Sequence, residues 1–328
     1  MSPDFLRMQA AVLVAPGSIQ LQQAPLPTPG PTQVRIRLEG CGICASNLPA
    51  FEGRDWFSYP MPAGDLGHEG WGVIDAVGDD VTDLAPGQRV AALSYRAYAE
   101  YDVAEAAYVV PLPPALDGEA FPGEALGCVM NIFRRAAVEA HHTVAIVGIG
   151  FIGAALTQLC VKAGARVIAV ARSDAALDLA MRCGAAEAVP MHDHRTVIAA
   201  MQYATGGALC ARVFECTGKP WPLDLAGEFT GEGGRLIIAG YHQDGLRPVN
   251  VQLWNWRGID VINAHERDPQ VAAEGMRQAV DAVLSGRLDL SLLVSHRFPL
   301  ADLGKGLAAA RDRMEGLVKA VVLTGAEA

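Results

Sequence analysis

No run of lysine and arginine occurs anywhere in this 328-residue sequence, and its formal net charge is −10. A nucleic-acid backbone or an anionic membrane surface would be repelled rather than attracted, so neither is expected as a partner and a small molecule is favoured. No apolar stretch reaches membrane-spanning length, and the opening "MSPDFLRMQAAVLVAPG" has neither the basic start nor the apolar core of a secretory leader. A cytoplasmic protein is expected. The seven cysteines are odd in number and spread from Cys41 to Cys216, unlike the dense framework of a small secreted protein, so thiols or metal ligands are expected rather than disulfides. Internal repeats, low-complexity tracts and long linkers are missing as well.

What is present is the composition of an ordered chain, with 51% apolar and 19% charged residues over a length that suits two domains. Residues 8 to 110 hold short β-rich pieces such as "QAAVLVAPG", "QVRIRLEG", "WGVIDAVG" and "QRVAALSY", cut by Pro and Gly, which predicts an all-β module. From about residue 125 apolar runs of strand length ("TVAIVGIG", "RVIAVA", "RVFECTG", "RLIIAGY") alternate with helical stretches, the pattern of a parallel sheet covered on both faces. After residue 266 come an amphipathic helix, a last helix near "LGKGLAAARDR" and a terminal strand, "LVKAVVLTG". An isolated terminal strand needs a sheet to join, so this tail is expected to complete the first module. The fold class is thus α/β: a β-rich domain over residues 1–124 and 266–328, and a doubly wound domain over 125–265.

"TVAIVGIGFIGAALTQLCVKAG" sets Gly148, Gly150 and Gly153 in G-x-G-x-x-G spacing after an apolar strand and at the start of a helix. The first glycine permits the tight turn, the second lets backbone approach a pyrophosphate, and the third allows close helix–strand packing, with the helix N-terminus facing the phosphates. Phe151 and Ile152 belong to the same turn, and Gly218 after a later strand is added to the expected dinucleotide contacts. An acid at the end of the second strand would bond the ribose 2′-hydroxyl of NAD, but that strand ends Ala171-Arg172-Ser173. Arg172 and Ser173 offer a guanidinium and a hydroxyl to a 2′-phosphate, so NADP(H) is expected over NAD(H), with Asp174 reaching the ribose as the alternative.

Cys41 and Cys44 form a Cys-x-x-Cys, yet no second such pair and no His-x(3–5)-His follows, so a closed zinc-finger site lacks half its ligands. A redox pair would lead into a helix of a thioredoxin-like unit, whereas this pair lies in a β-rich module. His68 and Glu69 follow downstream in "GDLGHEGWGVIDAVG".

"GICASN", "GHEGWGVIDAVG", "PGQRV", "YAEYDV", "GEALGCVMNIFRRA" and "VGIGFIG" occur in the order seen in the zinc-dependent alcohol dehydrogenases of the medium-chain dehydrogenase/reductase superfamily. The resemblance covers nearly the whole chain and points to the polyol and threonine dehydrogenase-like branch. It implies a GroES-like catalytic domain, a Rossmann domain, hydride transfer between an alcohol or polyol and the nicotinamide, and a homodimer or homotetramer. Cys44 and His68 match the first two zinc ligands; the third falls on Glu124, with Cys128 one helical turn on as the alternative, and Glu69 matches an acid beside the metal that can support it or itself ligate it. Ser46 matches the hydroxyl that holds the substrate oxygen, and Lys319 aligns with a base on the cofactor phosphate, a solvated edge-strand lysine being its other reading. Asn47 replaces the usual Asp, and Pro49 stands where many members carry a relay His. The chain runs directly from Val90 to Tyr98, so the four-cysteine lobe for structural zinc is expected to be absent and one zinc per subunit suffices. Two rivals follow from the same scaffold: a zinc-free quinone or enoyl reductase, and a catalytically silent NADP-binding protein.

Overall fold

The structure, a computed structural model, describes residues 6–325. The chain forms two compact units: one holds the residues up to Cys128, Arg267–Leu284 and those from Val294 on, the other Val129–Glu266 and Ser285–Leu293. Among the described residues no helix is long and apolar enough to cross a membrane.

The first unit is built around the strand Gln33–Gly42, where Val34, Ile36 and Leu38 alternate with Arg35 and Arg37 and bury one face. That strand pairs antiparallel with Gly70–Val77, Tyr101–Glu105 and the terminal strand Ala320–Leu323. Its apolar face closes a core with Phe51, Ile74, Val90, Leu303 and Val322. Past Gly42 the chain leaves the sheet through a tight turn, Ala45–Asn47, into the short helix Leu48–Glu52. Pro49 sits in the first turn of that helix, where a missing N–H costs nothing.

The second unit carries six parallel strands in the spatial order Glu187–Pro190, Arg166–Ala171, Thr143–Val147, Cys210–Glu215, Thr230–Ile238, Asp260–Asn263. Val144–Val147 is wholly buried, as a central strand covered on both faces must be. Chain order reverses between Thr143–Val147 and Cys210–Glu215, which opens the crevice where doubly wound sheets take nucleotides. Residues 285–293 group with this unit rather than with the first, where the sequence had placed them. A side-chain tether joins them to it: Gln158, on the helix Phe151–Lys162, accepts from Asp289 N at 2.6 Å and donates to Asp289 O at 3.4 Å.

Candidate active site and cofactor turn

In the first unit the ligand atoms of Cys44, His68 and Glu69 all lie within 4.8 Å of one another. Cys44 enters this cluster from the end of the central strand, and His68 and Glu69 from the segment that precedes Gly70–Val77. His68 Nδ1 is held 2.8 Å from the carbonyl oxygen of Leu66, a residue with φ of 74°. Facing a carbonyl, that nitrogen carries the proton of the neutral ring, and Nε2 keeps its lone pair. The same carbonyl accepts from Asn47 Nδ2 at 3.0 Å, while Asn47 Oδ1 accepts from Tyr98 Oη at 2.7 Å and from Cys44 N at 3.2 Å. Asn47 therefore orients the imidazole through a backbone oxygen, a role that an acid-for-amide comparison of the sequence does not reveal.

Glu69 is fully buried, and a Cβ on Gly42 would stand 1.7 Å from its Oε2, so only glycine leaves room for this carboxylate. Lys319, 5% exposed, places its Nζ 2.6 Å from both carboxylate oxygens of Glu69. The solvated reading of Lys319 does not hold: the ammonium is buried and pairs with Glu69. Glu124, in the first turn of the helix Gly123–Ala136, accepts from the Cys128 thiol at 3.2 Å. Burial and then the Glu124 charge push the Cys128 thiol well above its ordinary value, which keeps it a hydrogen-bond donor. Glu124 acts electrostatically on His68 and Glu69 but does not share the 4.8 Å radius of all three clustered residues. Cys41 is fully buried, with its thiol pushed up by burial.

Burial would lower the His68 imidazole, yet its contact with Cys44 and the charges of Glu124 and Glu69 outweigh this and lift it to about 10. One sulfur, one imidazole and a carboxylate with their ligand atoms within 4.8 Å of one another form a donor set that zinc takes, so the residues present fit the metal. Ser46 lines a cavity of about 250 Å³ together with His68, and its hydroxyl makes no hydrogen bond to any other described residue. The backbone bond common to turn serines is thus not formed.

In the second unit the glycine turn has three distinct reasons for its composition. Gly148 has φ of 96°, and a Cβ there would meet Thr217 Cγ2 at 2.4 Å; a Cβ on Gly153 would meet the Gly148 carbonyl oxygen at 2.0 Å. Gly150 caps the helix Phe151–Lys162, and a Cβ there would enter open space. That open cradle before a helix N-terminus fits a pyrophosphate. Phe151 is buried under the turn and Ile152 is half-buried beside it. Ala171 is buried at the end of its strand, Arg172 is exposed, and Ser173 caps the helix Asp174–Arg182 by accepting from Ala176 N at 3.3 Å. Gly218, with φ of 68°, lies so close to Tyr241 that a Cβ would be 2.4 Å from its carbonyl oxygen.

Beside Gly218 is a residue that the motifs did not mark. Glu215, fully buried at the end of its strand, accepts from Thr217 N at 2.7 Å, from Gly218 N at 3.0 Å and from the Thr217 hydroxyl. His242 Nε2 lies 3.0 Å from its other oxygen, and His242 Nδ1 accepts from Arg247 Nε at 3.0 Å. The carboxylate pins the loops at the mouth of the nucleotide crevice. A lone acid closing the apolar strand "RVFECTG" was the available signal.

Residues 30–114 match the family described as an alcohol dehydrogenase GroES-like domain, and residues 152–283 match zinc-binding dehydrogenases. The chain is 32% identical over 266 residues to an alcohol dehydrogenase of Moraxella sp. (strain TAE123), covering 71% of this chain and 77% of that one. It is 26% identical to sorbitol dehydrogenase of Homo sapiens, across 95% of this chain and 94% of the relative. Among solved structures, an Escherichia coli oxidoreductase/dehydrogenase of unknown specificity superposes with a TM-score of 0.87 at 23% identity, over 98% of this chain and 100% of that one, a likeness of fold. The chain belongs to the zinc-dependent alcohol dehydrogenases of the medium-chain dehydrogenase/reductase superfamily, enzymes that combine a GroES-like and a Rossmann domain.

Proposed function

We propose that this protein moves hydride between an alcohol or polyol, or the matching carbonyl compound, and NADP(H), with Cys44, His68 and Glu124 as ligands of a single zinc. The observation that carries the reading is the Cys44–His68–Glu69 cluster beside a cavity that Ser46 also lines. Glu124 is favoured over Cys128 because that thiol stays protonated and donates to it, and over Glu69 because Glu69 is paired with Lys319. When bound, zinc supplies Lewis acidity that acidifies an alcohol or polarises a carbonyl, and the nicotinamide supplies the hydride acceptor or donor. Ser46 accepts the proton that the alcohol releases and passes it to water, since Asn47 is already engaged and Pro49 offers no proton-carrying group. His68 is kept in its ligating tautomer by the Leu66 carbonyl, and Lys319 balances the carboxylates around it.

One zinc per chain is supported by the lack of any cysteine between Cys44 and Cys128. Purified protein is expected to carry one zinc equivalent, to lose alcohol oxidation on chelation and to regain it with zinc. Zinc-free turnover of a quinone or enoyl substrate would overturn the reading, as would cofactor binding without any turnover.

The preference for NADP(H) rests on the exposed Arg172 and on the missing acid at the end of Arg166–Ala171. Ser173 already caps its helix, which leaves the guanidinium as the main 2′-phosphate partner. Arg172→Ala is expected to lower kcat/KM for NADP by roughly 10- to 100-fold with NAD little changed. A wild-type preference for NAD that the substitution does not alter would refute the assignment.

A further inference from the structure

The cavity of about 250 Å³ that holds Ser46 and His68 is also lined by a carboxylate, Asp65, and by two aromatic rings, Phe57 and Tyr95. Asp65 is half-buried; its backbone N–H donates to Pro62 O at 3.1 Å, but its carboxylate makes no hydrogen bond or ion pair with any described residue. A carboxylate partly withdrawn from water with no protein partner is a strong acceptor awaiting a donor. Its neighbours say which donor fits. Phe57 and Tyr95 offer apolar faces to a short carbon chain and π faces to a cation, and apart from His68, the proposed zinc ligand, no basic side chain lines the cavity to receive an anion.

We propose that Asp65 sets substrate specificity by accepting a hydrogen bond from a second donor on the alcohol, a hydroxyl or an ammonium beside the reacting carbinol, and that it rejects hydroxy acids. The inference rests on the zinc-dependent alcohol oxidation proposed above and adds the substrate class: small diols or amino alcohols. Ser46 and His68 mark where in the cavity the carbinol reacts, and Asp65, lining the same cavity, reads the group next to it. A carboxylate in that place repels a substrate carboxylate by like charge.

A series that shares one reacting group tests this: propan-2-ol, propane-1,2-diol, 1-aminopropan-2-ol and lactate all present a CH(OH)CH3 unit and differ only in the neighbouring group. With the zinc-loaded enzyme, kcat/KM for the diol or the amino alcohol is expected to exceed that for propan-2-ol by roughly 10-fold or more, with lactate the poorest. If an ammonium is the natural donor the amino alcohol leads, and if a hydroxyl the diol does. Asp65→Asn, of the same size and at a site with no protein partner, is expected to erase the advantage of the amino alcohol and raise lactate, with propan-2-ol within about threefold of wild type. Asp65→Ala should order the series in the same way, and an unchanged Tm would show that both variants fold. Equal rank across the series in wild type, or a uniform fall for all four in Asp65→Asn, would overturn the specificity role while leaving alcohol oxidation intact; the uniform fall would instead make Asp65 a support of the metal site. Zinc-loaded wild type that turns over none of the four with either cofactor would overturn the proposed function, and this inference with it.

Discussion

His68→Ala and Cys44→Ser are each expected to lower kcat/KM for alcohol oxidation by ~10³-fold or more and to strip the protein of its zinc. Each removes one donor from a cluster whose ligand atoms lie within 4.8 Å of one another. Lewis-acid activation of an alcohol is worth several kcal/mol, and about 4 kcal/mol of lost transition-state stabilisation corresponds to that factor. The two variants differ in what remains. Without His68, the charges of Glu124, Glu69 and Cys44 lose the group that their fields hold protonated up to a pH of about 10. Without Cys44, the imidazole loses the side-chain contact that does most to raise it. Zinc content measured beside activity checks the prediction; full zinc occupancy in both variants would remove these residues from the metal site.

The second large effect is one of stability. Lys319→Met is expected to destabilise the metal-free protein by roughly 3–5 kcal/mol, the usual consequence of leaving a buried charge without its partner. Glu69 is fully buried and fitted against Gly42, so its carboxylate has nowhere to reach water. The double variant Lys319→Met with Glu69→Gln, which removes both charges, should recover most of the loss. Thermal and denaturant unfolding of the three proteins decides the matter. A loss below about 1 kcal/mol in Lys319→Met would mean that water or another cation reaches Glu69.

The legible features of this sequence are the local ones. Gly148, Gly150 and Gly153 lie within six residues, and their roles follow from the turn they make, so strand, motif and helix agree without knowledge of the rest of the chain. Cys44, Ser46, His68 and Glu69 were readable because motif order, not distance, carries the resemblance. What escaped was decided by contacts across long separations. Lys319 and Glu69 are 250 positions apart, and nothing local to "GLVKAVVLTG" distinguishes a lysine that turns inward from one in water. The Gln158–Asp289 tether that joins residues 285–293 to the second unit spans 131 positions. Asn47 reads in sequence as a weakened acid, because its effect on His68 passes through an atom that no residue code specifies.

That atom, the carbonyl oxygen of Leu66, is common to every amino acid. The group that fixes the ring of His68 therefore cannot be deleted by changing the side chain at position 66; it can be lost only by turning the peptide away. With φ at 74°, residue 66 holds that peptide in a backbone shape that glycine or asparagine would adopt more readily than leucine, so such substitutions could spare the geometry that the imidazole needs. Drift at this position is then nearly silent for the metal, whereas drift at Asn47 or Tyr98, which never touch the ring, would be heard there.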